Sequence, residues 1–142
     1  MSIWFKNPTP AEANSKHEET LVANLGIKVT HVGEDFIVAT MPVDERTIQI
    51  HGMLHGGASV ALAETLGSYA ANCCIDDTKF MCVGLDINAN HIRSARRGKV
   101  TCMARPIHLG RTTQVWRMEI NDENDKLICE SRLTIAVVAL ES

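Results

Sequence analysis

The spacing of hydrophobic and polar positions predicts a helix, two strands, a long helix and then further strands. Residues 1–24 form a predicted N-terminal helical segment, with a helix over Pro8–Asn24 and Thr9 as its capping residue. Runs rich in apolar and β-branched residues then predict strands over Ile27–Val32 and Phe36–Val43, joined by a tight turn. A loop of mixed composition follows and leads to a pair of glycines.

The second half of the chain combines one apolar helix with a series of strands. The helix begins at Gly56 and ends near Cys74, and turn residues separate the strands that come after it. The predicted strands are Phe80–Ile92, Lys99–His108, Thr112–Asn121 and Lys126–Ala139. Because their connections are short, we expect them to pair as an antiparallel meander. The pattern therefore predicts the α+β class, in which a curved antiparallel sheet wraps around a long central helix.

Composition and charge narrow the class of protein. The chain has 142 residues, which predicts a single domain over residues 1–142, and its net charge of −3 argues against a nucleic-acid partner. Polar side chains within residues 56–75 argue against a membrane span. Five cysteines without a CxxC spacing argue against a disulfide framework or a zinc site, and the first residues lack a secretory signal. These features predict a cytoplasmic protein.

Glu64 is the one formal charge in the apolar helix. No other Asp, Glu, Lys or Arg occurs between Arg46 and Asp76, and most neighbours of Glu64 are alanine or leucine. Burial in such surroundings would disfavour the ionised carboxyl group, which suits a carboxylate that acts as a base. The alternative is a structural glutamate with a buried arginine or hydroxyl partner.

Polar groups around the start of the helix suit the chemistry of a carbonyl compound. The glycines at positions 56 and 57 would let a ligand approach bare backbone amides at the positive end of the helix dipole. Ser68 lies one turn after Glu64 on the same side, where it would orient a water or bond back to the helix backbone. Gln49, in the preceding loop, offers an amide donor or is simply solvated.

Three other catalytic arrangements fit the sequence less well. His51 and His55 have a metal-ligand spacing, but the glycines around them argue against a helix through both, and no HExxH motif occurs. We therefore expect neither a metal nor a cofactor. A Ser–His–Asp site would need the G-x-S-x-G elbow that this chain lacks. Cys73 and Cys74 lie at the C-terminal end of a helix, where the dipole disfavours the nucleophilic thiolate.

The segments around these residues resemble the hotdog-fold thioesterases. The likeness rests on Gln49, on HGGASVALAE at residues 55–64, on Gly67-Ser68, on GLDINANH at residues 84–91 and on HLGR at residues 108–111. The subgroup that it resembles comprises the Glu-type 4-hydroxybenzoyl-CoA thioesterases and the 1,4-dihydroxy-2-naphthoyl-CoA hydrolases. Ile92 is a departure, because other relatives carry a second histidine at this position.

The resemblance implies a role for each of these positions. Glu64 would be the nucleophile or the general base, and the Gly56 amide would polarise the thioester carbonyl. Gln49 and His55 would orient the thioester, and Ser68 would hold the water. The implied activity is that of an acyl-CoA thioesterase for an aromatic acid such as 1,4-dihydroxy-2-naphthoyl-CoA, an intermediate of menaquinone biosynthesis. One hotdog domain per chain, paired into a homodimer and often into a homotetramer, is the implied assembly.

A basic segment at residues 91–99 offers a site for the nucleotide of CoA. Its candidate substrate-binding residues are His91, Arg93, Ser94 and Arg96. CoA carries a 3′-phosphate and a pyrophosphate, and arginine binds both groups well. A solvated strand end would account equally well for the run of charges.

Other functions on the same fold are open from the sequence alone. One is a proofreading hydrolase that releases wrong acyl groups from a carrier protein, and another is a non-catalytic acyl-CoA-binding protein. The presence of Glu64 favours a hydrolase over the binding protein. A hydratase is disfavoured because a hydration motif with paired Asp and His is not evident.

Overall fold

The computed structural model describes residues 1–141, so that Ser142, the last residue of the predicted domain, lies outside the described residues. Three helices and six strands follow one another along the chain. They are α1 Pro10–Lys16, α2 Leu21–Asn24, β1 Lys28–Val32, β2 Ile37–Pro42, α3 Gly56–Cys73, β3 Phe80–His91, β4 Lys99–Leu109, β5 Thr113–Asn121 and β6 Leu127–Ala139. All six predicted strands are confirmed, with ends that differ by one residue or none.

The strands form one antiparallel sheet in the order β1-β2-β4-β5-β6-β3. The predicted meander is correct for β4, β5 and β6 but wrong for β3, which pairs with β6 at the edge, while β4 pairs with β2. The connection from β3 to β4 is therefore a crossover and not a hairpin. It is fixed by tertiary contacts, since Ala95 in this connection is buried and its carbonyl accepts a hydrogen bond from Leu54 N–H.

Helix α3 lies across the concave face of the sheet and contacts β2 to β6. Its buried side chains recur at the three- and four-residue spacing of one helix face. They are Ala58, Ser59, Leu62, Ala63, Leu66, Gly67, Ala70, Ala71 and Cys73. The other face of the helix is open, and Glu64 and Asn72 are exposed on it. Within residues 1–141, no helix is long and apolar enough to cross a membrane.

The N-terminal helical segment contains two short helices where a single one was predicted. The helical conformation is interrupted at Glu19, whose φ of 60° lies in the left-handed region. Thr20 then caps α2, because its side chain accepts a hydrogen bond from the Val22 N–H. The predicted Thr9 cap is confirmed at the start of α1. Asn14 fastens α1 to the sheet, because its side chain bonds both the N–H and the carbonyl of Val29.

Candidate active site

The start of α3 presents a backbone amide to solvent. The Gly56 N–H has no hydrogen-bond acceptor among residues 1–141, as expected for the first residue of a helix. His55 is the N-cap residue, and its Nδ1 accepts from the Gly57 N–H at 2.8 Å. Because Nδ1 is an acceptor, a neutral His55 ring carries its proton on Nε2, where it can donate to a ligand. The helix start therefore offers two donors side by side.

The loop before α3 holds Gln49 in a defined orientation. Ile48 and Leu54 form a bridge across this loop, and buried Thr47 ties it to the end of β2 through a bond from its hydroxyl to the Pro42 carbonyl. The Oε1 atom of Gln49 accepts from the His51 N–H. Its amide nitrogen is thereby left to donate, and the half-buried side chain faces the same depression as Gly56.

A depression of about 310 Å³, which we call the amide depression, brings several predicted residues together. It is lined by Gln49, Gly56, His91, Arg93 and Ser94, together with Met53, Leu54, Ser59, Ile92 and Ile128. The His91 ring lies so close over the helix start that a Cβ on Gly56 would be 3.0 Å from its Nε2. A side chain at position 56 would thus crowd both the ring and the exposed amide.

The basic segment folds back over the amide depression from the β3–β4 connection. Arg93 donates from its guanidinium to the Leu127 carbonyl at 3.0 Å, and Arg96 reaches the His51 carbonyl at 3.5 Å. Arg93 and Ser94 line the depression, whereas Arg96 lies outside its lining. Neither arginine is in an ion pair with another of residues 1–141. Both charges are therefore available to an anionic ligand.

Glu64 lies in a second, separate depression on the open face of α3. This depression, the carboxylate groove, has a volume of about 400 Å³ and is lined by His17, Leu21, Val22, Ala61, Glu64, Thr65, Ser68, Tyr69 and Asn72. Glu64 is exposed and has no ion pair or hydrogen bond within the described part of the chain. The expectation that Glu64 is buried, and the alternative of a buried partner, are both wrong for the single chain, because the groove opens to solvent.

Gly84 on β3 has no side chain, which leaves space for the side chain of Glu64. A Cβ at position 84 would be 3.3 Å from the Oε2 atom of Glu64, tighter than ordinary van der Waals contact. The strand is irregular here, with a register shift between Gly84 and Asp86. A glycine inside a predicted strand is a signal for such a close approach, so Gly84 is a site residue that the strand pattern itself could have indicated.

Ser68 lies one helical turn beyond Glu64 in the carboxylate groove. Its hydroxyl makes no hydrogen bond to the helix backbone, or to any other group within residues 1–141, so the alternative of a bond back to the helix is not what the structure contains. Asn72 bonds the Ser68 carbonyl through its amide nitrogen instead. The hydroxyl is thus available to a water beside Glu64.

The cysteines near this groove are poor nucleophiles. Burial raises the pKa of the Cys73 thiol, and burial together with the neighbouring cysteines raises the pKa of Cys74 to about 12. Both side chains therefore stay protonated at neutral pH. This supports the expectation that neither thiol attacks a substrate.

Comparison with known proteins identifies the family to which this architecture belongs. Residues 51–129 match the sequence profile of the Thioesterase superfamily. The chain is 49% identical over 136 residues to the 1,4-dihydroxy-2-naphthoyl-CoA hydrolase of Escherichia coli K12, which covers 96% of this chain and 99% of that protein. It is 46% identical over 136 residues to the proofreading thioesterase EntH of Cronobacter turicensis, covering 96% of this chain and 98% of that protein.

Solved structures agree with the sequence comparison. The crystal structure of a glutamine-to-alanine mutant of a Pseudomonas aeruginosa thioesterase superimposes with a TM-score of 0.96 at 46% identity, covering 98% of this chain and 100% of that one. The curved sheet around a long helix is therefore the hotdog fold. The chain belongs to the Thioesterase superfamily and is a thioester hydrolase.

Proposed function

We propose that this thioesterase hydrolyses the CoA thioester of an aromatic acid, for which 1,4-dihydroxy-2-naphthoyl-CoA, an intermediate of menaquinone biosynthesis, is the representative substrate. The observation that carries the proposal is the 49% identity to the Escherichia coli hydrolase of that name. The free Gly56 amide and the unpaired Glu64 carboxylate support it, because thioester hydrolysis needs both an oxyanion donor and a nucleophile or base.

Two donors at the helix start, together with Gln49 in the preceding loop, would bind the thioester group. The Gly56 N–H lies at the positive end of the α3 dipole, where it stabilises charge that develops as the carbonyl carbon becomes tetrahedral. The Gln49 amide and the Nε2–H of His55 would orient the thioester beside it. Loss of one such donor costs about 2.7–4 kcal/mol in comparable acyl-transfer enzymes.

Glu64 would then act in one of two ways. As a nucleophile it attacks the carbonyl carbon and forms an anhydride that water cleaves; as a general base it takes a proton from a water held by Ser68. In both routes the C–S bond breaks, the CoA sulfur gains a proton, and one water is consumed to give the free acid.

We further propose that residues 1–142 form one such domain, which works in the cytoplasm as a homodimer and, by pairing of dimers, as a homotetramer. The 12-residue strand β3 lies at the sheet edge, and Met81, Val83 and Leu85 on it are 45%, 39% and 62% exposed. An unpaired edge with apolar side chains is suited to pair with a second copy. The five free cysteines support a reducing compartment.

The acyl preference can be measured directly. We expect kcat/KM for aryl-CoA thioesters to exceed that for palmitoyl-CoA by at least about tenfold, or roughly 1.4 kcal/mol. Thiol release over a panel of aryl and alkyl CoA thioesters measures the ratio. A preference for palmitoyl-CoA would contradict the proposed substrate class, whereas the absence of any thiol release would contradict hydrolysis itself.

Arg93 provides a test of the nucleotide site. Arg93→Ala should raise KM for CoA thioesters by about tenfold or more, because it removes a charge-assisted contact to phosphate. Turnover of a short thioester that lacks the nucleotide should be unchanged. Arg132→Ala is a matched control, since Arg132 is also exposed but lies on β6, outside the lining of the amide depression. An equal loss on both substrates would instead assign Arg93 a structural role.

A second candidate function is proofreading of acyl-carrier-protein thioesters. It is favoured by the 46% identity to the proofreading thioesterase of Cronobacter turicensis. The same acyl group should be offered on CoA and on a carrier protein, because a higher kcat/KM for the carrier protein would favour proofreading. A non-catalytic acyl-CoA-binding role would be supported only by binding without hydrolysis.

A further inference from the structure

We propose that His17 is a specificity-determining residue, whose Nε2 atom accepts a hydrogen bond from a hydroxyl group on the aromatic ring of the acyl group. The inference rests on the proposed function, since it concerns the acyl group that would lie beside Glu64. The N-terminal helical segment would thereby contribute to the selection of the acyl group.

The N-terminal segment forms one wall of the carboxylate groove. His17, Leu21 and Val22 line the groove together with Glu64 and Ser68 of α3. Glu19, in the left-handed region, separates α1 from α2, and the groove is lined by His17, which follows α1, and by Leu21 and Val22 of α2. An acyl group whose carbonyl lies at Glu64 would therefore extend toward this segment.

The wall is held rigidly, as a selective site requires. Ala13 is fully buried, and Asn14 bonds the Val29 N–H at 2.8 Å and the Val29 carbonyl at 3.0 Å. His17 follows immediately after α1 as its C-cap residue. Its position is thus fixed relative to β1, which belongs to the same sheet as the strands that pack on α3.

The hydrogen bonding of His17 leaves one ring nitrogen for a ligand. Its Nδ1 lies 2.8 Å from the carbonyl oxygen of Ala13, and because that oxygen only accepts, Nδ1 must donate. In the neutral ring Nε2 is then an acceptor, and it has no hydrogen-bond partner among residues 1–141. A half-buried acceptor without a partner favours a ligand that brings a hydroxyl donor.

The remainder of the groove suits a flat ring. Tyr69 packs edge-to-face against His17, with ring centroids 5.5 Å apart and planes inclined by 65°. Burial raises the pKa of Tyr69 well above its ordinary range, so the phenol stays neutral. Leu21 and Val22 add apolar surface beside it. An aromatic acyl group can therefore stack in this groove while its hydroxyl reaches His17.

The test compares benzoyl-CoA with 2-, 3- and 4-hydroxybenzoyl-CoA. We expect the wild-type protein to prefer at least one hydroxylated substrate by about tenfold in kcat/KM, and His17→Leu to abolish this preference. The readout is the ratio of kcat/KM for hydroxybenzoyl-CoA to that for benzoyl-CoA, because His17 lines the groove and its replacement changes the surroundings of every acyl group. His17→Gln should retain most of the preference, because its Oε1 atom is an acceptor at a similar reach. His31→Leu is a matched control, because His31 is exposed on β1 and lies outside the lining of the carboxylate groove.

The outcomes separate the inference from the function on which it rests. A hydroxyl preference that survives in His17→Leu, or an equal loss on all four substrates with circular dichroism unchanged, would overturn the role of His17 and leave the thioesterase proposal intact. If His17→Leu fails to fold, His17→Phe decides through the same ratio of hydroxybenzoyl to benzoyl turnover, because it removes the acceptor and keeps a ring against Tyr69. A wild-type protein that hydrolyses none of the aryl-CoA esters would overturn both.

Discussion

Glu64→Ala is expected to lower kcat by about a thousandfold or more, because it removes the nucleophile or general base of the proposed reaction. The effect should fall on kcat more than on KM, since the carboxylate acts on the reacting carbonyl and not on the nucleotide. Stability should change little, because Glu64 is exposed and makes no ion pair or hydrogen bond within residues 1–141. Steady-state thiol release and a thermal melt measure the two quantities.

The control for this variant is Glu119→Gln. Glu119 lies on β5, 3.8 Å from Arg117, and belongs to neither depression that holds the candidate site. Its replacement removes a surface carboxylate without touching the reaction, so kcat should stay near the wild-type value. If folded Glu64→Ala kept more than about a tenth of wild-type kcat, the assignment of Glu64 would be wrong.

Local sequence patterns were sufficient to predict the elements but not all of their partners. The strand boundaries follow from alternation and turn residues, which are local properties of the chain. The place of β3 at the sheet edge depends on the buried Ala95 and on the packing of α3, and both are interactions between distant segments. The break at Glu19 was missed for a related reason, since a non-glycine residue in the left-handed region carries little sequence signal.

For the candidate site, too, local features could be predicted from the sequence, whereas features that depend on distant segments could not. Gln49, Gly56, His91, Arg93 and Ser94 were all identified from sequence and do meet in one depression. The burial of Glu64 was inferred from its apolar neighbours along the helix, but those neighbours face the sheet while Glu64 points to the open side. The contributions of His17 and Tyr69 could not be foreseen, because they come from segments that meet only in the folded chain.

The last prediction concerns the gap between the two depressions. Gly56 and Glu64 are eight positions apart on α3, which at a rise of 1.5 Å per residue separates them by roughly 12 Å along the axis. A reacting carboxylate must lie within about 3–3.5 Å of the carbonyl carbon, and the amide must be similarly close to its oxygen. One glutamate side chain is too short to span this difference. We therefore expect each active site to combine Gly56 of one subunit with Glu64 of its partner.

Subunit exchange between two inactive variants tests this arrangement. Glu64→Ala should be mixed with a double variant that carries Gln49→Ala and His55→Ala. Random pairing makes about half of the dimers mixed, and one of the two sites in each mixed dimer is wholly wild type, so activity should return to about one quarter of the wild-type value. Native mass spectrometry of the mixture establishes that mixed dimers have formed.

In the matched control, both substitutions lie in the same depression. Glu64→Ala mixed with Ser68→Ala should show no gain, because both residues lie in the carboxylate groove and no mixed dimer acquires an intact site. Recovery in the first mixture and not in the second would follow only if the donors at the helix start act against a partner's carboxylate. Mixed dimers that form without any return of activity would show that each chain carries a complete site. The oxyanion donor would then be a group nearer Glu64 in the same chain, and not the Gly56 amide.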